Sequence, residues 1–457
     1  MNQMNVAVPA DGSLRHQGPE LLLAHAAVKA RPLTLGAAEG PCRIALVGFG
    51  TVGQSVARLL QSRSDERSLC LTYVCNRGIA RKMASWTGPD VVWTESMQEI
   101  LDSDADVVVE LMGGLDPAYE LVVRALRCGK SVVTANKQLI AHSGSHLLQL
   151  ASEQGKYLGF GACVAGGVPV LSGLQDGLAG DRIVKIRGIL NGTCNYILNR
   201  IEQGGISFAE ALREAQQAGF AEADPSFDID GQDAAAKLAI LARVGLKVSL
   251  EPEKVTCRTI RNLSAIDFAY AKELGCTVRQ ISTATMKDGQ IYAAVGPSLV
   301  GNDCSLAKVS GNQNLIVSTG EFGGDTMFGG QGAGGDPTAV AVLSDLMQAA
   351  GCRSAEQASF QPARVSSCEA TLEVESSHYL RFVVRDRPGI IAALAAVFAK
   401  HRLNLHAILQ KPGYEKACLP FVITLEPCAQ RLLTMALDEI KGFDFLVEPP
   451  VSMPIVQ

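Results

Sequence analysis

The 457-residue chain has no apolar run near the roughly 18 residues needed to cross a bilayer; its longest, such as Ile390 to Ala399, stop well short. It has no excess of positive charge either: 41 Lys and Arg stand against 46 Asp and Glu, well mixed, for a net charge of -5. Neither a nucleic acid nor an anionic membrane surface finds a basic patch to hold. It has no C-x-x-C pair, and its 13 cysteines are odd in number. That argues against a disulfide framework or a zinc site and for reduced thiols packed as small hydrophobes, as in a cytoplasmic protein. No basic segment precedes Leu21-Leu22-Leu23, and His25 and Lys29 interrupt the apolar stretch, which speaks against a secretory signal and leaves residues 1–40 as a poorly ordered extension. Small-molecule chemistry remains. The length and an apolar content of 47% allow two or three domains, each with its own core.

From Arg43 a buried strand, Ile44-Ala45-Leu46-Val47, runs into Gly48-Phe49-Gly50-Thr51-Val52-Gly53 and then into an amphipathic stretch, Gln54 to Leu60. Strand, glycine turn and helix in that order predict a dinucleotide-binding unit. The glycines have separate tasks: a tight turn at Gly48, close approach to a pyrophosphate at Gly50, and close helix–strand packing at Gly53. Free N–H groups at the helix start face the phosphates. A glycine triplet alone also occurs in ordinary turns; its flanking strand and helix favour the cofactor. The next strand, Leu69 to Val74, ends in Asn76-Arg77 with no Asp or Glu to accept ribose hydroxyls. Arg77, with Arg81 and Lys82 behind it, suits a 2′-phosphate and favours NADP over NAD, the alternative being a solvated helix face.

Further strand-like runs, Val107 to Leu111 and Ser131 to Thr134, alternate with helices and predict a Rossmann-like α/β domain with a parallel, doubly wound sheet over residues 41–160. Strand ends face the ligand crevice in such a sheet, which places Thr134 and Lys137, in Thr134-Ala135-Asn136-Lys137, beside the nicotinamide. His142 and His146 read as neighbours on a helix face, with no third metal ligand near them. Beyond Ala165-Gly166-Gly167-Val168-Pro169 the chain leaves this fold. A strand from Arg182 to Ile189 enters Asn191-Gly192-Thr193, a substrate-loop candidate in which Thr193 caps the following helix.

Residues 222 to 237, EADPSFDIDGQDAAAK, set Glu222, Asp233 and Lys237 within reach of one pocket. Asp233 and Lys237 are four apart in a helical window and share a face. By spacing alone such a pair is a surface contact of roughly a few tenths of a kcal/mol. Context changes that reading. TANK, AGGVPV, GILNGT, GFAEADP and DGQDAAAKLAIL follow one another across residues 42–350 in an order and spacing that resemble the homoserine dehydrogenases.

The resemblance implies interconversion of L-aspartate 4-semialdehyde and L-homoserine in threonine, methionine and isoleucine biosynthesis. It implies that Lys237 and Lys137 lie by the reacting oxygen and that Glu222 and Asp233 hold the substrate hydroxyl and amino group. A lysine suits the task because its proton can move to an oxygen that gains charge; which lysine gives it stays open. The resemblance also implies an α+β catalytic and dimerisation domain over residues 161–334, with 335–360 returning to the nucleotide domain. There Asp336 is the expected helix cap and Pro337 the first helical residue. The family commonly has an acid just before A-x-V-A-G-G that helps to hold a monovalent cation. This chain has Gly161, which leaves the carbonyls of Val164 and Gly166 as candidate ligands and puts the cation site in doubt.

Residues 376–457 read as strand, helix, strand, strand, helix and a last strand near Phe445. With Asp386-Arg387-Pro388-Gly389 before the first helix and Asn404 before the second strand, this βαββαβ pattern is similar to the ACT domain, which binds amino acids at subunit interfaces. Asp386, Gly389 and Asn404 are then the effector residues, with room at Gly389 for a ligand carboxylate on a helix N-terminus. Threonine is the expected effector and a homodimer or homotetramer the expected assembly; a module that only dimerises is the alternative. Two rival functions stand beside the dehydrogenase: another NADP-linked oxidoreductase sharing the nucleotide half, and a non-catalytic amino-acid sensor.

Overall fold

Fully buried valines and isoleucines define the first layer of the protein, a sheet covered on both faces, in a computed structural model that describes residues 40–62, 69–353, 366–368, 371 and 374–456. The expectation for residues 1–40 falls almost wholly outside these. Six strands, β1 (Cys42–Val47), β2 (Leu69–Cys75), β3 (Val92–Thr94), β4 (Val107–Glu110), β5 (Ser131–Thr134) and β6 (Leu158–Gly159), lie all parallel in the order β3-β2-β1-β4-β5-β6. Val107, Val108 and Val109 are inaccessible to solvent, as continuous apolar strands under helices on both faces must be. Strand order reverses at β1 and β4, so a crevice opens at their carboxyl ends, the place where such sheets bind ligands.

The helix Gly335–Cys352 carries the chain back onto this sheet, packing against helix α1 (Thr51–Ser62). Ala339, Val342, Leu346 and Ala349 share one core with Ile44, Leu46 and Val56. Its start differs from expectation: Gly334 is the cap and Gly335 the first helical residue, two positions early. A Cβ on Gly335 would lie 2.8 Å from Ser55 Oγ, so only glycine lets the helix begin this close to α1. Pro337 still sits in the first turn, where a missing N–H breaks no intrahelical bond.

The second sheet has ten strands and joins two modules. Gly324–Gln331, Gln313–Gly320, Ile183–Ile189, Cys276–Lys287 and Gln290–Gly301, with the short Thr256–Cys257 paired to the last, form its catalytic half, and Glu375–Val384, Leu419–Ala429 and Leu405–Leu409 its C-terminal half. Val451–Val456 joins them, parallel to Gln290–Gly301 through Leu299↔Ile455 and antiparallel to Glu375–Val384 through Tyr379↔Met453. The expected last strand near Phe445 is therefore corrected. Phe445 is a buried plug among turns, with only a bridge from Val384 to Leu446, and Pro449-Pro450 deny ladder donors until Val451.

Candidate active site

At the glycine turn the three glycines do different work. Gly48 has φ +103 and no space for a Cβ, which would meet Leu111 O at 2.6 Å; a Cβ on Gly53 would overlap Gly48 O. A Cβ on Gly50 would meet nothing within 4 Å, so this glycine faces open space where a pyrophosphate can approach. Thr51 and Val52 open α1, whose first N–H groups point the same way. Phe49 is buried and edge-on to Trp93, and its N–H donates to Asn76 Oδ1 at 3.0 Å. Asn76 thereby ties the end of β2 to the turn. Arg77 is exposed and makes no ion pair among the described residues. Glu95 is spent on the N–H groups of Gly78 and Ile79, at 2.9 and 3.1 Å. These residues fit a dinucleotide with a free cation at its ribose end.

Thr134 is buried and its hydroxyl is used internally, donating to Glu110 Oε2 at 2.6 Å and accepting from Asn136 N at 2.9 Å. Glu110, which the sequence reading passed over, also accepts from Met112 N at 2.7 Å. This carboxylate folds the two strand-end turns that border the crevice. Asn136 caps the helix Lys137–Glu153, accepting from Leu139 N, and so aims Lys137 outward from the first helical position.

Lys137 meets the helix Gln232–Leu241 at Asp233. Lys137 Nζ lies 2.7 Å from Asp233 Oδ1, and Lys237 Nζ lies 2.8 Å from Asp233 Oδ2. One carboxylate, 3% exposed, thus bridges two ammonium groups from two domains. Burial acts against its charged form, yet Lys237 and Lys137 outweigh that and hold Asp233 well below the ordinary carboxylate range. Burial likewise opposes the Lys137 ammonium, and Asp233 overrides it, raising its pKa. Lys237 Nζ also donates to Leu190 O at 2.9 Å. Two of its three N–H donors are committed, which leaves one for a ligand.

Asn191 organises the opposite wall. Its Nδ2 donates to Asp233 Oδ2 at 2.8 Å and to Asp228 Oδ1 at 2.7 Å, while its Oδ1 accepts from Cys194 N. Asn191, not Thr193, is therefore the cap of the helix Gly192–Gly204, because its side chain reaches that N–H. Thr193 donates instead to Phe220 O at 2.7 Å and anchors the loop that carries Glu222. A Cβ on Gly192 would lie 2.6 Å from Asn312 O, so the turn needs glycine for close approach. Glu222 is exposed, and its carboxylate joins no ion pair among the described residues. Asp228 is the acid the sequence reading missed. Burial, then Asp233, raises its pKa. In FDIDGQD nothing distinguishes it from Asp230, which pairs outward with Arg261 at 3.0 Å.

Gly161 decides how the segment 161–167 suits a cation. Its N–H donates to Asp345 Oδ2 at 2.8 Å, and a Cβ there would lie 3.0 Å from Asp345 Oδ1. A carboxyl group thus stands beside the place a side chain at 161 would occupy. Burial pushes Asp345 up to about 7, with no cationic side chain to counter it. Val164 is inaccessible and Gly166 adopts φ +53, which turns this backbone sharply. Donor carbonyls and one unneutralised carboxyl fit a hard monovalent cation. His142 and His146 have separate partners, Glu253 and Tyr119, and the described residues hold no cluster of three metal-ligating side chains.

In the C-terminal module Gly389, φ +95, caps the helix Ile390–Lys400 and faces open space. Asp386 is exposed, its N–H donating to Lys416 O. Asn404 Nδ2 donates to Glu426 Oε2 at 3.1 Å. The strand registers set them apart: Asp386 and Gly389 follow the end of Glu375–Val384 that pairs with Leu419, whereas Asn404, whose O accepts from Glu426 N, lies toward the other end of Leu419–Ala429.

Family models match this chain in three stretches: homoserine dehydrogenase, NAD binding domain, over residues 48–160; homoserine dehydrogenase over 169–347; and ACT domain over 378–441. A homoserine dehydrogenase from Synechocystis sp. is 37% identical over 427 residues, covering 89% of this chain and 98% of the relative. One from Neisseria gonorrhoeae is 34% identical, covering 90% and 98%. Among solved structures, a homoserine dehydrogenase from Thiobacillus denitrificans superposes with a TM-score of 0.85 at 31% identity, covering 91% of this chain and 98% of that one. A hyperthermophilic archaeal homoserine dehydrogenase in complex with NADPH superposes at 0.59 with 29% identity, covering 68% of this chain and 97% of that one.

Proposed function

The chain belongs to the homoserine dehydrogenase family, an oxidoreductase family, and from that premise we propose that the Lys137–Asp233–Lys237 bridge is the centre at which L-homoserine and L-aspartate 4-semialdehyde interconvert. The observation that carries this assignment is a single buried carboxylate holding two ammonium groups at the crevice between the domains. The Gly48–Gly53 turn would hold the pyrophosphate of a nicotinamide dinucleotide, which when bound would supply or accept the hydride at the substrate carbon. Lys237, fixed by Asp233 and Leu190 O, points its remaining N–H at the substrate oxygen and passes the proton that completes the aldehyde's reduction to an alcohol. Asp233 Oδ2, 2.8 Å away, holds that lysine in place for the transfer. Lys137, joined to the same carboxylate, adds a second positive charge where the oxygen becomes anionic. Asp228, with one oxygen on Asn191 and the other without a hydrogen-bond partner among the described residues, receives the substrate ammonium together with Glu222. Asn191, Gly192 and Thr193 shape the wall that holds them.

The cofactor reading is NADP, on the exposed Arg77 and the absence of a free acid at the end of β2. Val164, Gly166 and the carboxyl of Asp345 are the residues that would hold a monovalent cation. The ACT domain takes an amino acid, threonine in our reading, with Asp386, Gly389 and Asn404 as the candidate effector residues, and the edge strand Leu405–Leu409 supports pairing of that module in a homodimer or homotetramer. No helix among the described residues is long and apolar enough to cross a membrane, and we place the enzyme in the cytoplasm on its thiol content. The test is NADP+ reduction by purified protein with L-homoserine, run beside NAD+, with Lys237→Ala as the variant. Turnover should prefer NADP+ and fall by at least about a hundredfold in the variant while cofactor affinity stays within about twofold. Near-normal turnover in the variant would remove Lys237 from its role; no turnover with either cofactor would favour the sensor reading or another substrate.

A further inference from the structure

The helix Lys137–Glu153 presents Lys137 at its first position, and Ile140, Ala141 and Gly144, three, four and seven residues on, continue the same stripe and are buried. This helix packs on the helix Gln232–Leu241, where the buried Ala234, Ala235 and Ala236 are small enough to let the two backbones come close. The Lys137–Asp233 pair links the helices at the crevice. A second link lies further along. The π turn Ala242–Leu246 continues the Asp233 helix and carries Arg243, only 4% exposed, whose Nη1 donates to Ile140 O at 2.6 Å. Gly144 makes the space for it: a Cβ there would overlap Arg243 Nη1.

Stability explains neither residue. Glycine in a helix interior costs roughly 1 kcal/mol relative to alanine. Arg243 pairs with no carboxylate among the described residues, its Nε has no hydrogen-bond partner there, and burial lowers its pKa with no charge acting the other way. A cation buried in that state opposes folding. What the two residues achieve together is a fixed crossing. The guanidinium fills the slot left by the missing side chain, holds a carbonyl of the Lys137 helix, and so keeps that helix from sliding or turning on the helix of Asp233.

We infer that Arg243, seated on Gly144, is a positioning residue for the reaction: it sets where Lys137 meets the carboxylate that it shares with Lys237. The inference rests on the role of Lys137 proposed above. Lys137 and Gly144 are seven residues, about 10 Å, apart along the helix, so the arginine acts on the lysine through the backbone and not by contact. Displacing a reacting group by about 1 Å costs up to roughly a hundredfold in rate, which gives so remote a link its leverage.

Turnover of L-homoserine with NADP+, Tm, and the rate at which acetic anhydride modifies Lys137, read by mass spectrometry, test this in the intact chain. Arg243→Met should lower kcat about tenfold, leave the KM for NADP+ within about twofold, and melt no lower than the wild type, because it removes an unpaired buried charge. Gly144→Ala, which drives the guanidinium from its slot, should lower kcat by itself but no further in the Arg243→Met background. Lys137 should be modified faster in Arg243→Met, since away from Asp233 it holds its proton less firmly. Equal kcat and equal labelling in the wild type and both single variants overturn the inference. So does a loss of kcat that follows Tm downward, or losses that add across the two sites, either of which makes Arg243 a packing residue. Faster labelling with unchanged kcat keeps the positioning and removes Lys137 from the reaction, an outcome that a fully active Lys137→Met would establish separately.

Discussion

Asp233 shows how one residue can be both a structural and a chemical element. Its carboxylate is ionised because two lysines hold it so, and folding stability follows the sign of that shift. A carboxylate whose pKa is depressed in the folded state stabilises above its unfolded value, near pH 4, and loses that contribution as pH falls toward the folded value. Asp233→Asn should therefore cost on the order of 3 kcal/mol at pH 7, the cost of stranding a buried charge, with a gap to the wild type that narrows in urea titrations run below about pH 4. Asp345 carries the opposite sign. Its folded pKa is raised to about 7, so it favours the folded state while protonated, and that contribution disappears as pH rises from about 4 through 7. Tm should fall across this window in the wild type at low salt and stay flatter in Asp345→Asn; equal slopes would show that the carboxyl is paired. The glycine turn was legible in the sequence from its place between a strand and a helix, and the Lys137, Asp233 and Lys237 set only through the family motifs around it, since spacing alone makes Asp233–Lys237 an ordinary surface pair. Asp228 and Asp345 were not, since three acids within seven residues, or one acid in an apolar helix, give no sign of which faces inward.

At the scale of elements, glycine density in residues 320–336 has a packing cause. This segment is a hairpin strand, Gly324–Gln331, followed by a helix start wedged against α1. Gly335→Ala would press a methyl group against Ser55 and Thr51 and move the helix away from the glycine turn. An overpacked contact costs about 1–3 kcal/mol, so we expect the KM for NADP+ to rise by about tenfold with a smaller change in kcat. Periodicity predicted the helix but put its start two residues late, because the cap residues Asp336-Pro337 are a local signal and the contact with α1 is not. The strand placed near Phe445 failed for a related reason: an aromatic core plug and a strand residue look alike in a short apolar run.

In the whole molecule, the C-terminal module is joined to the catalytic domain rather than tethered. Tyr379, Val422 and Met453 share a core with Cys194, Ala221 and Ile229, residues that flank the substrate loops. Buried Asp267 accepts from Tyr379 Oη at 3.0 Å and pairs with Arg381 at 2.9 Å across the same junction. Met453→Ala, at a site with no solvent exposure, should cost about 2–5 kcal/mol and lower the melting of the catalytic and ACT modules together. Two transitions, with only the ACT module shifted, would mean the joint is weak. The sequence by itself determined the glycine turn, the lysine–aspartate helix, the family and the βαββαβ order, because each depends on residues near one another along the chain. Only the tertiary structure decided that Lys137 and Lys237 share one carboxylate, that Asp345 stands beside Gly161, and that the last strand joins two sheets into one. These depend on contacts between residues far apart in sequence, which form only when the cores close.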